Sequence, residues 1–577
     1  LASAAATLHR VRLGARTLSA PLYARFSRLS IAQYGCKAMG RGGELKYIRV
    51  APHNRRAWRS VLLALLVFAG GALSTLLQAT EQAYDLVLAG GRVIDPESGL
   101  DAVRNVGVTG GAITAVTEQP LDGKRVIDAT GLVVAPGFID LHSHGQSLVA
   151  DRMHAYDGVT TALELESGIL PVGDWYSRQA AAGRALNYGT SAAWTFARIE
   201  EFEGLSPQAD LQWFREAFAL ERWVNETASD VQVANIVKSL EQGLQEGALG
   251  IGINGGYAPG GGFRELLAVH KLAARHQVPT FTHISCDNLA DPGSSAECVG
   301  KVIALAASSN NHAHICHLNS SSVRAVGVTS GMIRTAQAAG VPLSTEAYTY
   351  GAGSTTIGAA LFSAEAMAAK GVKPEDIEFN GERLDAASFT ALRAAQPGAV
   401  IVRHFLDLPA ERDILDTSVL FPGGAIASDG MPWIDSSTGA LVAPDQWPLP
   451  ESAYAHPRSA GTFTRLLAQW VRESASLSLT EALRKSSLIP AMILQPSVPQ
   501  MRRKGRLQTG MDADIVVFDA SEVADRATFS NPRQPATGMH YVLVNGVPVI
   551  DGGVLSMDSM PGQPIRRTHG NGATAVP

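Results

Sequence analysis

The chain reads as an α/β protein: a (β/α)8, TIM-like barrel with a small discontinuous β-sandwich subdomain built from both chain ends. Three observations predict it. Helix–strand steps recur through the middle of the 577 residues. Short strands with Gly and Pro turns lie on both sides of that middle. Several of the middle strands end on a histidine or an aspartate, at the end of a barrel strand where catalytic groups collect.

The first eighty residues read as a leader. Residues 1–49 are rich in Arg, Ala and Ser without apolar periodicity, and a natural start near Val50 would put a basic and then apolar segment at the N-terminus. Arg55, Arg56 and Arg59 precede an apolar run from Val61 to Leu77, and Leu77-Gln78-Ala79 before Thr80 is a loose small-residue cleavage signal. Basic, then apolar, then cleavable is the order of a signal peptide. An uncleaved anchor is the other reading, since about 17 apolar residues can just span a bilayer. Both expect an exported body, periplasmic or secreted, with membrane attachment only through residues 61–77.

Residues 83–135 hold short strands: Tyr84 to Val93, Val106 to Val108, Ile113 to Val116, and Leu132 to Val134, separated by turn-like stretches such as Asp95-Pro96-Glu97-Ser98-Gly99. Residues 505–556 hold a matching set, with Asp514 to Phe518, Tyr541 to Asn545 and Val547 to Ile550. The two halves are expected to form one β-subdomain. Between them, 136–504 alternates. Ile236 to Glu246 leads into Leu249 to Ile253, and Leu266 to Arg275 into Thr280 to His283. Val299 to Ala306 leads into Ala313 to His317, and Met332 to Ala339 into Pro342 to Glu346. Such steps make a parallel sheet, and no GxGxxG loop argues for an open dinucleotide-binding one. Residues 364–415 break the rhythm and read as an excursion over one barrel end; 557–577 read as a tail.

Charge is unevenly placed. Residues 1–60 carry twelve Lys and Arg against one acid, Glu44, while the whole chain is at −5. The body is therefore acidic, which argues against nucleic acid as a partner. Cys36, Cys286, Cys298 and Cys316 show no CxxC spacing or disulfide framework, and are expected to be mostly free and buried.

The strongest chemical signal is Pro136-Gly137-Phe138-Ile139-Asp140-Leu141-His142-Ser143-His144. On a strand, residues two apart face one side, so both imidazoles point to one place. His283, His317 and Asp429 end later strands in the same manner. Any one of them alone fits a hydrogen-bonded core residue; their recurrence at successive strand ends fits metal ligands. Neutral imidazole and carboxylate suit zinc, one or two ions per chain.

These residues carry a resemblance. PGFIDLHSH, the strand-end histidines and Ser428-Asp429-Gly430 resemble the amidohydrolase superfamily. Gly158-Val159-Thr160-Thr161, His456-Pro457-Arg458, Val523-Ala524-Asp525-Arg526 and Tyr541-Val542-Leu543-Val544-Asn545-Gly546 resemble its D-aminoacylase branch, from about residue 83 to about 555. The resemblance implies a zinc-dependent hydrolase that cleaves the C–N amide bond of N-acyl-(D-)amino acids by attack of metal-bound hydroxide. It implies Asp429 as general acid/base, His142 and His144 on one metal position, and His283 and His317 on the other. Asn319, Tyr348, Tyr350 and Arg458 are the expected substrate contacts. Another amidohydrolase acting on cyclic amides, dipeptides or carbamates, or a non-catalytic binding protein on the same fold, is the alternative.

The pattern departs in three places. Ser167 stands where the branch has a cysteine ligand, Asn319 where it has a lysine, and Ala193-Trp194 where it has Gly-His. None of the ten lysines ends an expected barrel strand, which disfavours a carboxylated-lysine bridge. Glu166 is expected to replace the missing cysteine, with Glu164 as the alternative. The two face one side of an otherwise apolar strand, and a carboxylate facing a barrel interior is costly unless paired or bound to metal. A buried pair with Arg198 is the competing explanation.

Overall fold

The computed structural model describes residues 83–567, apart from 285, 287, 407 and 408. The leader and its apolar run lie outside the described residues. Among the described residues, no helix is long and apolar enough to cross a membrane.

The described residues open with five strands: β1 (Tyr84–Asp95), β2 (Leu100–Thr109), β3 (Ala112–Thr117), β4 (Gly123–Asp128) and β5 (Val133–Pro136). The barrel comes next, with β6 (Phe138–Asp140), β7 (Val159–Ile169), β8 (Asn187–Ala193), β9 (Ile251–Asn254), β10 (Thr280–His283), β11 (Ala313–Ile315) and β12 (Leu343–Ala347). After an antiparallel excursion, β13 (Ala352–Thr356) to β16 (Val400–His404), comes the eighth barrel strand, β17 (Ala425–Ile426). The parallel order β17-β12-β11-β10-β9-β8-β7-β6 is closed by a parallel bridge between Ser143 and Gly430, with His144 N–H donating to Gly430 O at 2.8 Å. The helix–strand steps sit where the sequence places them. Helix Phe263–His276 precedes β10, Ser295–Ser309 precedes β11, and Val326–Ala338 precedes β12.

The last strands return to the first. Past a short hairpin, β18 (Ile434–Asp435) with β19 (Ala453–Tyr454), run β20 (Ile515–Phe518), β21 (Met539–Val544), β22 (Val547–Asp551) and β23 (Val554–Leu555). β20 pairs antiparallel with β5, Ile515 opposite Pro136 and Val517 opposite Val134. One nine-stranded sheet therefore joins both ends of the chain. Its inner face is a core of Leu88, Val93, Val106, Val134, Ile515 and Leu543, so burial of alternate apolar residues holds the two halves together.

Two boundaries differ from expectation. The excursion runs from β13 through β16, not 364–415. Its first strand is hidden in a polar Ser/Thr stretch, and helix Arg412–Val419 already belongs to the barrel, leading into β17. Residues 561–567 are no loose tail: Ile565 is buried, its N–H donates to Tyr188 O at 2.7 Å, and its carbonyl accepts from Tyr176 Oη at 2.7 Å.

Candidate metal centre

The site gathers at the C-terminal ends of six barrel strands. β6 leads to His142 and His144, β7 carries Glu166, β10 ends at His283, β11 leads to His317, β12 holds Glu346, and β17 leads to Asp429. His317 and Asp429 have positive φ, 33° and 52°. Non-glycine residues in that region are strained, and such strain collects at working sites. It turns each side chain off its strand end toward the barrel axis. Glycine lets the neighbours come close. A Cβ on Gly252 would lie 2.3 Å from Glu166 O, and one on Gly256 would lie 2.8 Å from His283 Nε2.

Four imidazoles close on one carboxylate. Glu166 Oε1 is 2.8 Å from His283 Nδ1 and 2.9 Å from His317 Nε2. Its Oε2 is 3.3 Å from His142 Nε2 and 3.5 Å from His144 Nε2. Within each pair the ring nitrogens are 3.1 Å apart. Asp429 Oδ1 stands 3.4 Å from both His142 Nε2 and His144 Nε2. A tetrahedral metal with bonds of 2.0–2.1 Å holds its ligand atoms about 3.3 Å apart. The spacing and the nitrogen–oxygen donor set both fit a divalent cation at each histidine pair, with one Glu166 oxygen facing each.

The electrostatics agree. Burial opposes charge on His144, yet Glu164 and Asp429 raise it to about 10. Burial would push Glu166 up, but His142 and His283 hold it well below the usual carboxylate range. Protons on His142 and His144 thus balance the carboxylates when no metal is bound, and a dication would take their place.

Three of the four rings are held from behind. His142 Nδ1 is 2.6 Å from Glu346 Oε1, whose other oxygen meets His314 Nε2 at 3.1 Å. His144 Nδ1 is 2.8 Å from Glu164 Oε2, and His317 Nδ1 is 3.0 Å from Ser321 Oγ. Such partners fix the tautomer and ring direction of a metal ligand. Glu164 thus sits behind His144 rather than among the four nitrogens. Arg198 pairs with Glu265 instead of either glutamate.

Arg458 is fully buried and donates Nη2 to Asp429 Oδ1 at 2.9 Å, with its guanidinium 4.6 Å from the Tyr348 ring centre. Its Nε and Nη1 have no hydrogen-bond partner among the described residues. Arg458, Tyr348 and the metal-facing side chains line one cavity, together with Phe214, Phe218 and Phe405 and with the cationic Arg215, Lys370 and Arg403.

Two expected substrate contacts lie elsewhere. Asn319 is buried and spends its amide on the carbonyls of Tyr348 and Tyr350, at 3.1 and 3.0 Å. It shapes the loop rather than facing the cavity, both amide hydrogens being used on those carbonyls. Tyr350 is buried with its hydroxyl on Gly461 O at 3.2 Å, under Arg465. The cysteines also differ from expectation: Cys286 and Cys298 are disulfide-bonded, and Cys316 is free and buried. Sequence reasoning misses Glu346, although a signal exists: it is the acid that ends the expected strand Pro342 to Glu346.

Four histidines and buried carboxylates converging on the mouth of a (β/α)8 barrel define a metal-dependent hydrolase. Residues 125–199 and 265–550, more than half of the chain, match the amidohydrolase family. The chain belongs to that family, and it is an enzyme acting on carbon–nitrogen bonds other than peptide bonds. It is 28% identical over 517 residues to the N-acyl-D-glutamate deacylase of Alcaligenes xylosoxydans xylosoxydans, covering 81% of this chain and 94% of that one. It is 27% identical to the D-aminoacylase of the same organism, covering 82% and 96%. The structure of an N-acyl-D-glutamate deacylase from Bordetella bronchiseptica, complexed with zinc and a phosphonate inhibitor, matches 84% of this chain and 100% of its own. That match has a TM-score of 0.67 at 23% identity, a likeness of fold.

Proposed function

We propose that the enzyme deacylates N-acyl-D-amino acids with zinc. The observation that carries the reading is the Glu166 carboxylate set between the histidine pairs, beside Asp429 and Arg458. Glu166, His283 and His317 would hold one cation; His142 and His144, with the other Glu166 oxygen and Asp429, would hold a second. A zinc ion there supplies Lewis acidity and an acidified water. Asp429 is placed to take a proton from the nucleophile and pass it to the leaving nitrogen. Arg458, buried with two donors to spare, is placed to receive the substrate's carboxylate. Tyr348 flanks it. The deacylase activities of the relatives support the same reading.

The test is a panel of N-acetyl-D- and N-acetyl-L-amino acids, cyclic imides, N-carbamoyl amino acids and dipeptides, assayed for amine release with zinc-loaded protein. Turnover confined to N-acetyl-D-amino acids is expected. Turnover confined to cyclic imides or dipeptides would move the enzyme to another branch of its family.

We also propose export. The basic-then-apolar leader supports it, as does the Cys286–Cys298 bond, since disulfides persist in oxidising compartments.

A further inference from the structure

We propose that the Cys286–Cys298 disulfide positions the His283–His317 pair, and so makes metal retention there depend on oxidation. The inference rests on the reading that Glu166, His283 and His317 hold a cation.

Cys286 lies three residues past His283 and borders the cavity beside His283 and His317. Cys298 is in the first turn of helix Ser295–Ser309, which is capped by Ser294 Oγ on Glu297 N–H. That helix packs Val299 and Val302 in one cluster with Ile315 of β11 and Leu318, the residues on either side of the turn that carries His317. The bond thus joins the chain leaving one histidine to the helix that backs the strand of the other. It closes a short loop, with cysteines 12 residues apart. Among the described residues, the backbone hydrogen bonds flanking it are Gly255 N–H on His283 O at 2.9 Å, Ser295 N–H on Asn288 O at 2.7 Å and Cys298 N–H on Ser294 O at 3.1 Å.

A second observation concerns the ground behind the bond. A small void lies there, bordered by Cys298, Ile284, Thr282, His270 and Lys301. Both ring nitrogens of His270 and the Thr282 hydroxyl are buried without hydrogen-bond partners among the described residues. The floor under the His283 strand end therefore holds a gap of about one water, lined by unpaired polar groups, beside the buried Ile284. A covalent tie at this place does what dense packing does elsewhere. Metal ligands must be held to within about 0.5 Å of the binding geometry, so the tie acts through His283 on metal affinity.

Reduction by a phosphine breaks the S–S bond. The phosphorus gives two electrons and takes the oxygen of one water to become a phosphine oxide, the two protons of that water go to sulfur, and Cys286 and Cys298 become thiols. The chain leaving His283, which stays paired to β9 at the end of β10, then loses its tie to helix Ser295–Ser309, while His142, His144 and their supports are untouched. Loss at one metal position, with the other spared, is the signature.

The experiment compares zinc dissociation constants, by chelator competition, for oxidised protein, protein reduced with tris(2-carboxyethyl)phosphine, and the variant C286A/C298A. Circular dichroism and thermal melting of the zinc-free samples are recorded alongside. The expected result is zinc binding at least tenfold weaker for one equivalent in both altered samples, with native circular dichroism and a cooperative melt. Affinities within twofold of each other would overturn the inference and leave the metal reading standing. Loss of native structure on reduction would also overturn it, by making the bond a staple of the whole barrel. Failure of the oxidised protein to bind zinc would overturn both. Should the variant not fold, the reduced wild-type sample decides.

Discussion

At the residue scale the chemistry turns on carboxylates in unusual company. Asp429 is held below the ordinary carboxylate range although burial would raise it, because Arg458 and then His142 stabilise its charge. It is therefore ready to accept a proton, and Asp429→Asn removes that capacity. A fall in kcat of roughly 10²–10⁴ is expected with N-acyl substrate, with metal content largely kept by the four histidines and Glu166. The same change strands Arg458, and breaking a buried ion pair costs about 3–5 kcal/mol. Asp429→Asn should melt early, and the double variant Asp429→Asn/Arg458→Met should regain stability without regaining turnover. Recovery of activity in the double variant would show that the proton moves elsewhere. Most of this chemistry was legible because strand periodicity is local: 142 and 144, or 164 and 166, share a face whatever the tertiary fold. Which of Glu164 and Glu166 faces the four nitrogens was left to ring positions set from distant strands. The role of Glu346 depends on a partner 204 residues away. Asn319 misled, since its position matched a ligand-contacting residue while its chemistry matched a backbone cap.

At the scale of elements, the helix–strand steps were readable because amphipathic helices such as Phe263–His276 recur just before short, buried strands. The excursion between β13 and β16 was misplaced because β13, Ala352–Thr356, is half-buried and polar, with no alternation to announce it. The disulfide had no signature in spacing. The helix Phe263–His276 carries a cost that can be tested. His270 on it is buried and lacks hydrogen-bond partners among the described residues, and burial lowers it to about 4. A folded value below the ordinary 6.5 means the neutral ring is favoured in the fold. The stability it permits is complete above pH 6.5 and is lost as pH falls from 6.5 toward 4, by about 3 kcal/mol in the limit. His270→Leu should therefore flatten the fall in stability between pH 7 and pH 5, measured by denaturant unfolding. A slope equal to that of the wild type would mean the ring finds a partner. His154, also lowered to about 4, adds a similar slope of its own.

At the scale of the whole molecule, the nine-stranded sheet and the packed segment 561–567 show why the chain must be read from both ends. β5 enters the barrel directly from a sheet whose neighbour, β20, arrives more than 370 residues later. Fold class was legible since turn-rich strands flank the α/β body, and the histidines mark the barrel's mouth. The central claim is that the Glu166 carboxylate joins two histidine pairs into one metal centre that hydrolyses an amide. Zinc titration of metal-stripped wild type and Glu166→Gln, read by bound zinc and by amine release from an N-acetyl-D-amino acid on the same samples, tests it most directly. One or two zinc ions and turnover are predicted for the wild type, and at least a tenfold loss of zinc affinity with loss of turnover for Glu166→Gln. Full zinc binding and undiminished turnover in that variant would contradict the claim.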